Sequence, residues 1–142
     1  MRRILLATDG STGARRATEV AAELARVTGS RLSILTVGGN VSGDEVRQLA
    51  RAEGNAADAL EELSNQALRQ AKERAEGAGV PDVRVQIGWG DPAEVIIETA
   101  RREQADAIVI GRRGQGRLAG LLLGSVSQKV ATLAPCVVIM VP

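Results

Sequence analysis

The sequence predicts an α/β protein: an open sheet of parallel strands with helices on both faces. Three observations predict it. Short apolar runs rich in Ile, Leu and Val alternate with longer stretches of helical periodicity, the pattern of repeated strand–helix units. The runs are bounded by Gly, Asp and Pro, which stop one element and start the next. A chain of 142 residues, 44% hydrophobic and 25% charged, suits one domain over residues 1–142 with a full core.

Residues 3–8 (Arg-Ile-Leu-Leu-Ala-Thr) form an apolar run closed by Asp9-Gly10, a buried strand and its turn. Ser11 or Thr12 caps the helix that follows. Its inner stripe is Ala14, Ala17, Ala21, Leu24 and Thr28, and Gly29 stops it. Residues 32–37 make a second strand, broken by Gly38-Gly39-Asn40. Residues 44–77 are polar and Ala-rich, with Val46, Leu49, Leu60, Leu63, Ala67, Ala71 and Ala75 at helical spacing and an interruption at Gly54-Asn55. Residues 83–87 alternate with Arg84 and Gln86, so this strand belongs near the sheet edge. Asp91 caps the next helix and Pro92 opens it, with Val95, Ile96, Thr99 and Ala100 inward. Residues 107–110 are the fourth strand, 111–124 a glycine-rich loop, 125–133 a short helix and 136–141 the fifth strand. In the strand order 3-2-1-4-5, strands one and four are neighbours, and the loops after them face one crevice.

Composition removes whole chemistries. There is no histidine, so His-based acid–base catalysis and His metal sites are out. One cysteine, Cys136, forbids an internal disulfide or a cysteine cluster and behaves as a small apolar residue. With no Phe or Tyr and one Trp, Trp89, there is no platform for stacking single-stranded bases; Trp89 reads as a packing or rim residue. The net charge of +1 argues against bulk binding of nucleic acid or membrane. No apolar run approaches the ~20 residues of a membrane span, and none resembles a targeting segment. The expected location is cytoplasmic.

The loop 111–124 carries the chemistry. Glycines stand at 111, 114, 116, 120 and 124, and Gly124-Ser125 opens the last helix. Glycines let a main chain approach an oxygen-rich ligand, and a helix amino end offers free N–H groups to an anion. Beyond Asp106 there is no acid, but there are Arg112, Arg113, Arg117 and Lys129, whereas residues 1–106 hold 14 basic and 17 acidic side chains. The near-neutral total therefore conceals a local anion-attracting segment. The alternative is that the glycines only punctuate a turn. Gly111 to Gly116 has P-loop glycine spacing, but Arg117-Leu118 replaces the phosphate lysine and the metal hydroxyl. Gly114-Gln115-Gly116-Arg117-Leu118-Ala119 fits G-x-G-x-x-A in the last unit rather than the first, with no downstream acid for a ribose.

Gly111-x2-Gly114-x9-Gly124-Ser125 resembles the nucleotide loop of the universal stress protein family, G-x2-G-x9-G-[ST]. The opening strand with Asp9, then Gly90-Asp91-Pro92-Ala93, Gly124-Ser125-Val126-Ser127 and Ala134-Pro135-Cys136-Val137, are similar to that family's landmarks, so the resemblance spans the chain. It implies an adenine nucleotide alpha-hydrolase-like fold that binds ATP. Asp9 and the backbone near Ala7 and Val37 would hold the adenosine. Gly111, Gly114, Gly124, Ser125 and Ser127 would cradle the phosphates, with Ile110, Arg112 and Val126 completing the set. Ala7 stands where the family sometimes has proline. If Asp9 lies near phosphate, a bridging Mg²⁺ is needed. The resemblance also implies a homodimer, matching the apolar fifth strand 137–141 if that strand is an edge; otherwise a helix covers it. No residue is assigned as catalytic: without histidine, or a carboxylate in the loop to orient water, hydrolysis is expected to be slow at most. The function implied is a nucleotide-dependent regulatory module of the stress response, its protein partner unnamed. The alternatives are a hydrolase or transferase of the same fold, or an interaction module without nucleotide.

Overall fold

The computed structural model describes residues 1–9, 12–38, 56–112 and 124–142. The elements are β1 (Arg3–Ala7), α1 (Thr12–Thr28), β2 (Arg31–Gly38), α2 (Ala56–Gly77), β3 (Val83–Trp89), α3 (Pro92–Glu103), β4 (Ala107–Gly111), α4 (Ser125–Leu133) and β5 (Val137–Val141). The five strands form one parallel sheet in the order β3-β2-β1-β4-β5, as predicted.

Period-two alternation sends successive side chains to opposite faces. Ile4, Leu6, Leu32, Ile34 and Val109 join the Ala-rich stripe of α1 and Leu68, Ala71 and Ala75 of α2 on one face. Leu5, Ala7, Leu35, Val37, Ile108 and Ile110 meet Ala93, Ile96, Ile97 and Ala100 of α3 and Val130 of α4 on the other. The central strands are covered on both faces, which is why they read as unbroken apolar runs. The edge strand β3 is only partly covered, so its sequence alternates with Arg84 and Gln86.

Several element details differ from expectation. The buried arc of α1 is Ala14, Ala17, Thr18, Ala21, Ala22 and Ala25; Leu24 is half-buried and Thr28 exposed. A helix this close to a sheet buries a stripe wider than one residue per turn, and the small alanines permit the approach. In α2, Ser64 and Leu68 are buried, whereas Leu63 and Ala67 are only half-buried; Val46, Leu49 and Gly54-Asn55 lie outside the described residues. β3 runs two residues further than predicted, because Gly88 and Trp89 continue the ladder opposite Val37 and Gly38. Cys136 precedes β5 instead of starting it. Its half-buried thiol is pushed up by desolvation and then by the charge of Asp106, so it stays protonated and unreactive.

The punctuation is confirmed in detail. Asp91 caps α3, its Oδ2 accepting the Glu94 N–H at 3.1 Å, and Pro92 follows as the first helical residue. Gly29, just past α1, has φ of +66°, a left-handed stop that costs glycine little. No helix among the described residues is long and apolar enough to cross a membrane.

Asp106 ties the start of β1 to the turn before β4. Its Oδ2 accepts the main-chain N–H groups of Arg2 at 2.7 Å and Arg3 at 2.8 Å. Those donors hold the carboxyl below its ordinary value of 3.8. A carboxyl depressed in the folded state stabilises above its unfolded value and loses that contribution as the pH falls through the folded one. Asp106→Asn is therefore expected to melt at a lower temperature than the parent at neutral pH. The gap should close as the pH is taken below 3.8. A gap independent of pH would show that the ionised carboxylate is not the cause.

Candidate functional site

The carboxyl ends of β1, β2 and β4 lie side by side. Ala7 is level with Ile110 on one side and Leu35 on the other. Asp9, half-buried, lies two residues beyond β1, and Val37 lies two residues beyond Leu35. Ala7, Val37 and Ile110 are buried on one face and, with half-buried Val126 from α4, belong to one apolar cluster. Four residues distant in sequence thus form a continuous apolar wall beneath this rim.

At the end of β4 the main chain is held from two sides. The Arg112 N–H donates to the Val141 carbonyl at 2.7 Å, and the Gly124 N–H donates to the Arg112 carbonyl at 3.0 Å. The second bond joins the start of α4 to the β4 tip. Gly111 is buried against α1: a Cβ there would meet the Gly13 carbonyl carbon and oxygen at 3.3 Å and the Ala14 nitrogen at 3.6 Å. Backbone cannot give way as a flexible side chain can, so close packing of β4 on α1 requires this glycine. Gly13 carries no motif; its only signal in the sequence is a glycine in the first turn of a helix.

α4 begins at Ser125 with no side-chain cap, because its N-cap is Gly124. Its leading N–H groups therefore keep their capacity to bind an anion, with the positive end of the helix dipole behind them. Ser125 is exposed at this end. Ser127 behaves differently: it is 3% exposed and its hydroxyl donates to the Gly111 carbonyl at 2.7 Å. Its proton is committed to joining α4 to β4, leaving the oxygen only as an acceptor. Ser127→Ala should cost about 1–3 kcal/mol in urea unfolding, since it strands a buried carbonyl. No loss of stability would argue that water replaces the hydroxyl there.

The charges divide. Arg112 is half-buried, and its Nε is fully buried with no hydrogen-bond partner among the described residues. A buried cationic N–H without an acceptor is costly, and an anion beside it would remove the cost. Lys129, counted in the basic segment, lies 3.6 Å from both Asp91, the cap of α3, and Glu94 in its first turn, so its charge is offset. Gly114, Arg113 and Arg117 lie outside the described residues. Among the described residues no group of three acids, cysteines or histidines could hold a metal by itself. That donor set suits Mg²⁺ only in its common form, with one carboxylate and the remaining ligands from phosphate and water.

The family model described as "Universal stress protein family" matches residues 1–142. "Universal stress protein in QAH/OAS sulfhydrylase 3'region" of Thermus aquaticus is 39% identical over 147 residues, covering 97% of this chain and 96% of that protein. Universal stress protein YxiE of Bacillus subtilis is 34% identical over 155 residues, covering 98% and 97%. Among solved structures, a universal stress protein in complex with cAMP superposes with a TM-score of 0.72 at 30% identity, covering 99% of this chain and 97% of that one.

Proposed function

The chain belongs to the universal stress protein family, and from that premise we propose that it is a nucleotide-dependent regulatory module that binds ATP at the carboxyl ends of β1, β2 and β4. The observation that carries the reading is the junction of the uncapped start of α4 with the β4 tip. Helix N–H groups without a side-chain cap, and an Arg112 Nε that has no partner among the described residues, suit phosphate there. The apolar wall of Ala7, Val37 and Ile110 suits the adenosine end, and Asp9 suits ribose or base donors or one ligand position of Mg²⁺. A related protein crystallised with cAMP supports an adenine nucleotide as the ligand class. The spacing of the motif glycines at 111, 114 and 124 supports a triphosphate by its likeness to the family's nucleotide loop.

Turnover is at most slow in this reading. Hydrolysis needs an oriented water, and no histidine exists to orient it. The module acts by binding: ATP closes on the β4–α4 junction and changes the surface shown to a protein partner. It acts as a homodimer, supported by the position of β5 at the sheet edge with Val137 exposed.

Calorimetry with ATP, with and without Mg²⁺, tests the reading, together with chromatography of whatever freshly purified protein releases on denaturation. Saturable binding with negligible ADP formation is expected. Gly124→Val should abolish binding; the backbone at 124 (φ −75°, ψ 163°) admits a side chain, and because Gly124 is buried, a melting temperature close to the parent's is required before the loss is assigned to the site. Protein free of adenine and indifferent to ATP would leave an interaction module; fast ADP release with Mg²⁺ would make it an enzyme.

A further inference from the structure

Trp89 is the only aromatic residue of the chain, and it is 56% exposed. A half-exposed indole adds little to the core, and the proposed site leaves it without a role. Its contact is specific all the same. A Cβ added to Gly38 would fall on Cε3 and Cζ3 of the indole and within 2.6 Å of Cη2. The six-membered ring therefore rests on the Gly38 α-carbon, in the space that the side chain of any other residue would fill. Gly38 is the last residue of β2 and Trp89 the last of β3, and the two are level in the ladder.

Main-chain bonding along β2 shows what Gly38 controls. The Arg31 N–H donates to the Arg2 carbonyl and the Leu35 carbonyl accepts the Thr8 N–H, both at 2.9 Å and both on the β1 side. The Leu32 N–H donates to the Asp82 carbonyl at 3.0 Å, on the β3 side. The main-chain groups of odd-numbered β2 residues thus face β1 and those of even-numbered ones face β3. Val37 faces β1, but β1 ends at Ala7, which is level with Leu35. Among the described residues none bonds the Val37 N–H or carbonyl on that side. The two are a donor and an acceptor at the rim of the candidate site, above the apolar cluster that holds the Val37 side chain. The carbonyl belongs to the planar peptide joining Val37 to Gly38, so its direction is tied to the φ angle of Gly38. Glycine by itself leaves that angle loose. The Trp89 ring on its α-carbon restricts it.

We propose that Trp89 is a positioning residue for the nucleotide base: resting on Gly38, it holds the Val37 carbonyl in the direction that selects adenine over guanine. This rests on the adenosine end of the nucleotide lying against Val37. A carbonyl beside an N–H complements the 6-amino group and N1 of adenine. Guanine turns an oxygen and an N–H to the same edge, so acceptor meets acceptor and donor meets donor. The preference is only as sharp as the carbonyl is fixed, because a carbonyl free to swing escapes the clash. Trp89 acts through Gly38 without touching the base. Alternating with Val83 and Ile87, it is on the α2 face of the sheet, whereas the Val37 side chain is on the α3 face.

Calorimetry with ATP and with GTP tests this, because the two share the triphosphate and differ in the base. The native chain should prefer ATP. Trp89→Ala should lower the ratio of ATP to GTP affinity about fivefold, what one hydrogen bond is worth. Trp89→Phe should keep most of the ratio, since a ring remains to rest on Gly38. Gly38→Ala keeps the tryptophan but displaces its ring, and should lower the ratio as Trp89→Ala does. Trp89 is the sole tryptophan, so the emission of the native chain should change as ATP binds, with the midpoint that calorimetry gives. A ratio unchanged in Trp89→Ala and Gly38→Ala, an equal loss for both nucleotides, or emission unmoved at saturating ATP would overturn this inference and leave the site standing. So would a native chain that binds ATP and GTP alike. A native chain indifferent to both nucleotides would overturn the site and this inference with it.

Discussion

Replacing Ser125 with glutamate is expected to leave the melting temperature unchanged or slightly raised while weakening ATP binding at least tenfold. Ser125 is exposed in the first turn of α4, whose N-cap is a glycine without a side chain to satisfy the leading N–H groups. A carboxylate there interacts favourably with the helix amino end, worth about 0.3–1 kcal/mol. The same carboxylate would stand where the phosphates are proposed to bind. Two unit charges 4 Å apart interact by about 4 kcal/mol at an effective dielectric of 20. Salt reduces this, but the ~1.4 kcal/mol needed for a tenfold loss is well inside it. Ser125→Lys should show the reverse pair of effects. Melting curves and calorimetry on the three proteins check it. The opposite signs are the discriminating feature, because a merely damaged fold would lose stability and affinity together. Unchanged affinity in Ser125→Glu would place the phosphates away from α4.

The second large effect is on stability. A Cβ on Gly88 would fall onto the Cγ1 methyl of Val95 and within 3.4 Å of Leu35 Cδ1. α3 therefore lies on β3 at a distance that only glycine permits, and its start is pinned by the Asp91 cap. Gly88→Ala must push α3 outward or force Val95 off its rotamer, at a cost of about 1–3 kcal/mol. For a chain of this size that lowers the melting temperature by about 2–4 °C for each kcal/mol. Val95→Ala alone removes a half-buried side chain and is destabilising too. The double variant should be less destabilised than the sum of the two, by about 0.5–3 kcal/mol, because the second change vacates the space the first one fills. Urea unfolding of the four proteins closes the cycle; strict additivity would show that Gly88 and Val95 are not in the contact described.

Much of the fold was legible because each boundary carries its own local physics. Asp91-Pro92 marks a helix start, Gly29 a left-handed stop, and the bounds of α4 follow from Gly124-Ser125 and Pro135. The apolar runs at β1, β2 and β4 marked strands buried on both faces, and the alternation at β3 marked an edge. Tertiary packing overrode local signals elsewhere. Gly88 reads as a strand break yet continues β3, because its missing side chain is what Val95 of α3 packs into. Leu24 and Thr28 fit a helical stripe, but α1 turns its alanines to the sheet because only they allow so close an approach.

For the site, the residue types were in the sequence: glycines, serines and an arginine clustered before and within the last helix, and an aspartate after the first strand. They announced an anion-binding end because backbone freedom, hydroxyls and charge are properties of residues, independent of the fold. Which groups remain free to act was decided by three-dimensional contacts alone. Ser127 is spent on the Gly111 carbonyl and Lys129 lies against two carboxylates, while Arg112 keeps a buried N–H without a partner among the described residues. A hydrogen bond or an ion pair needs two groups within a few ångströms, and only the folded chain sets that distance between residues far apart in sequence.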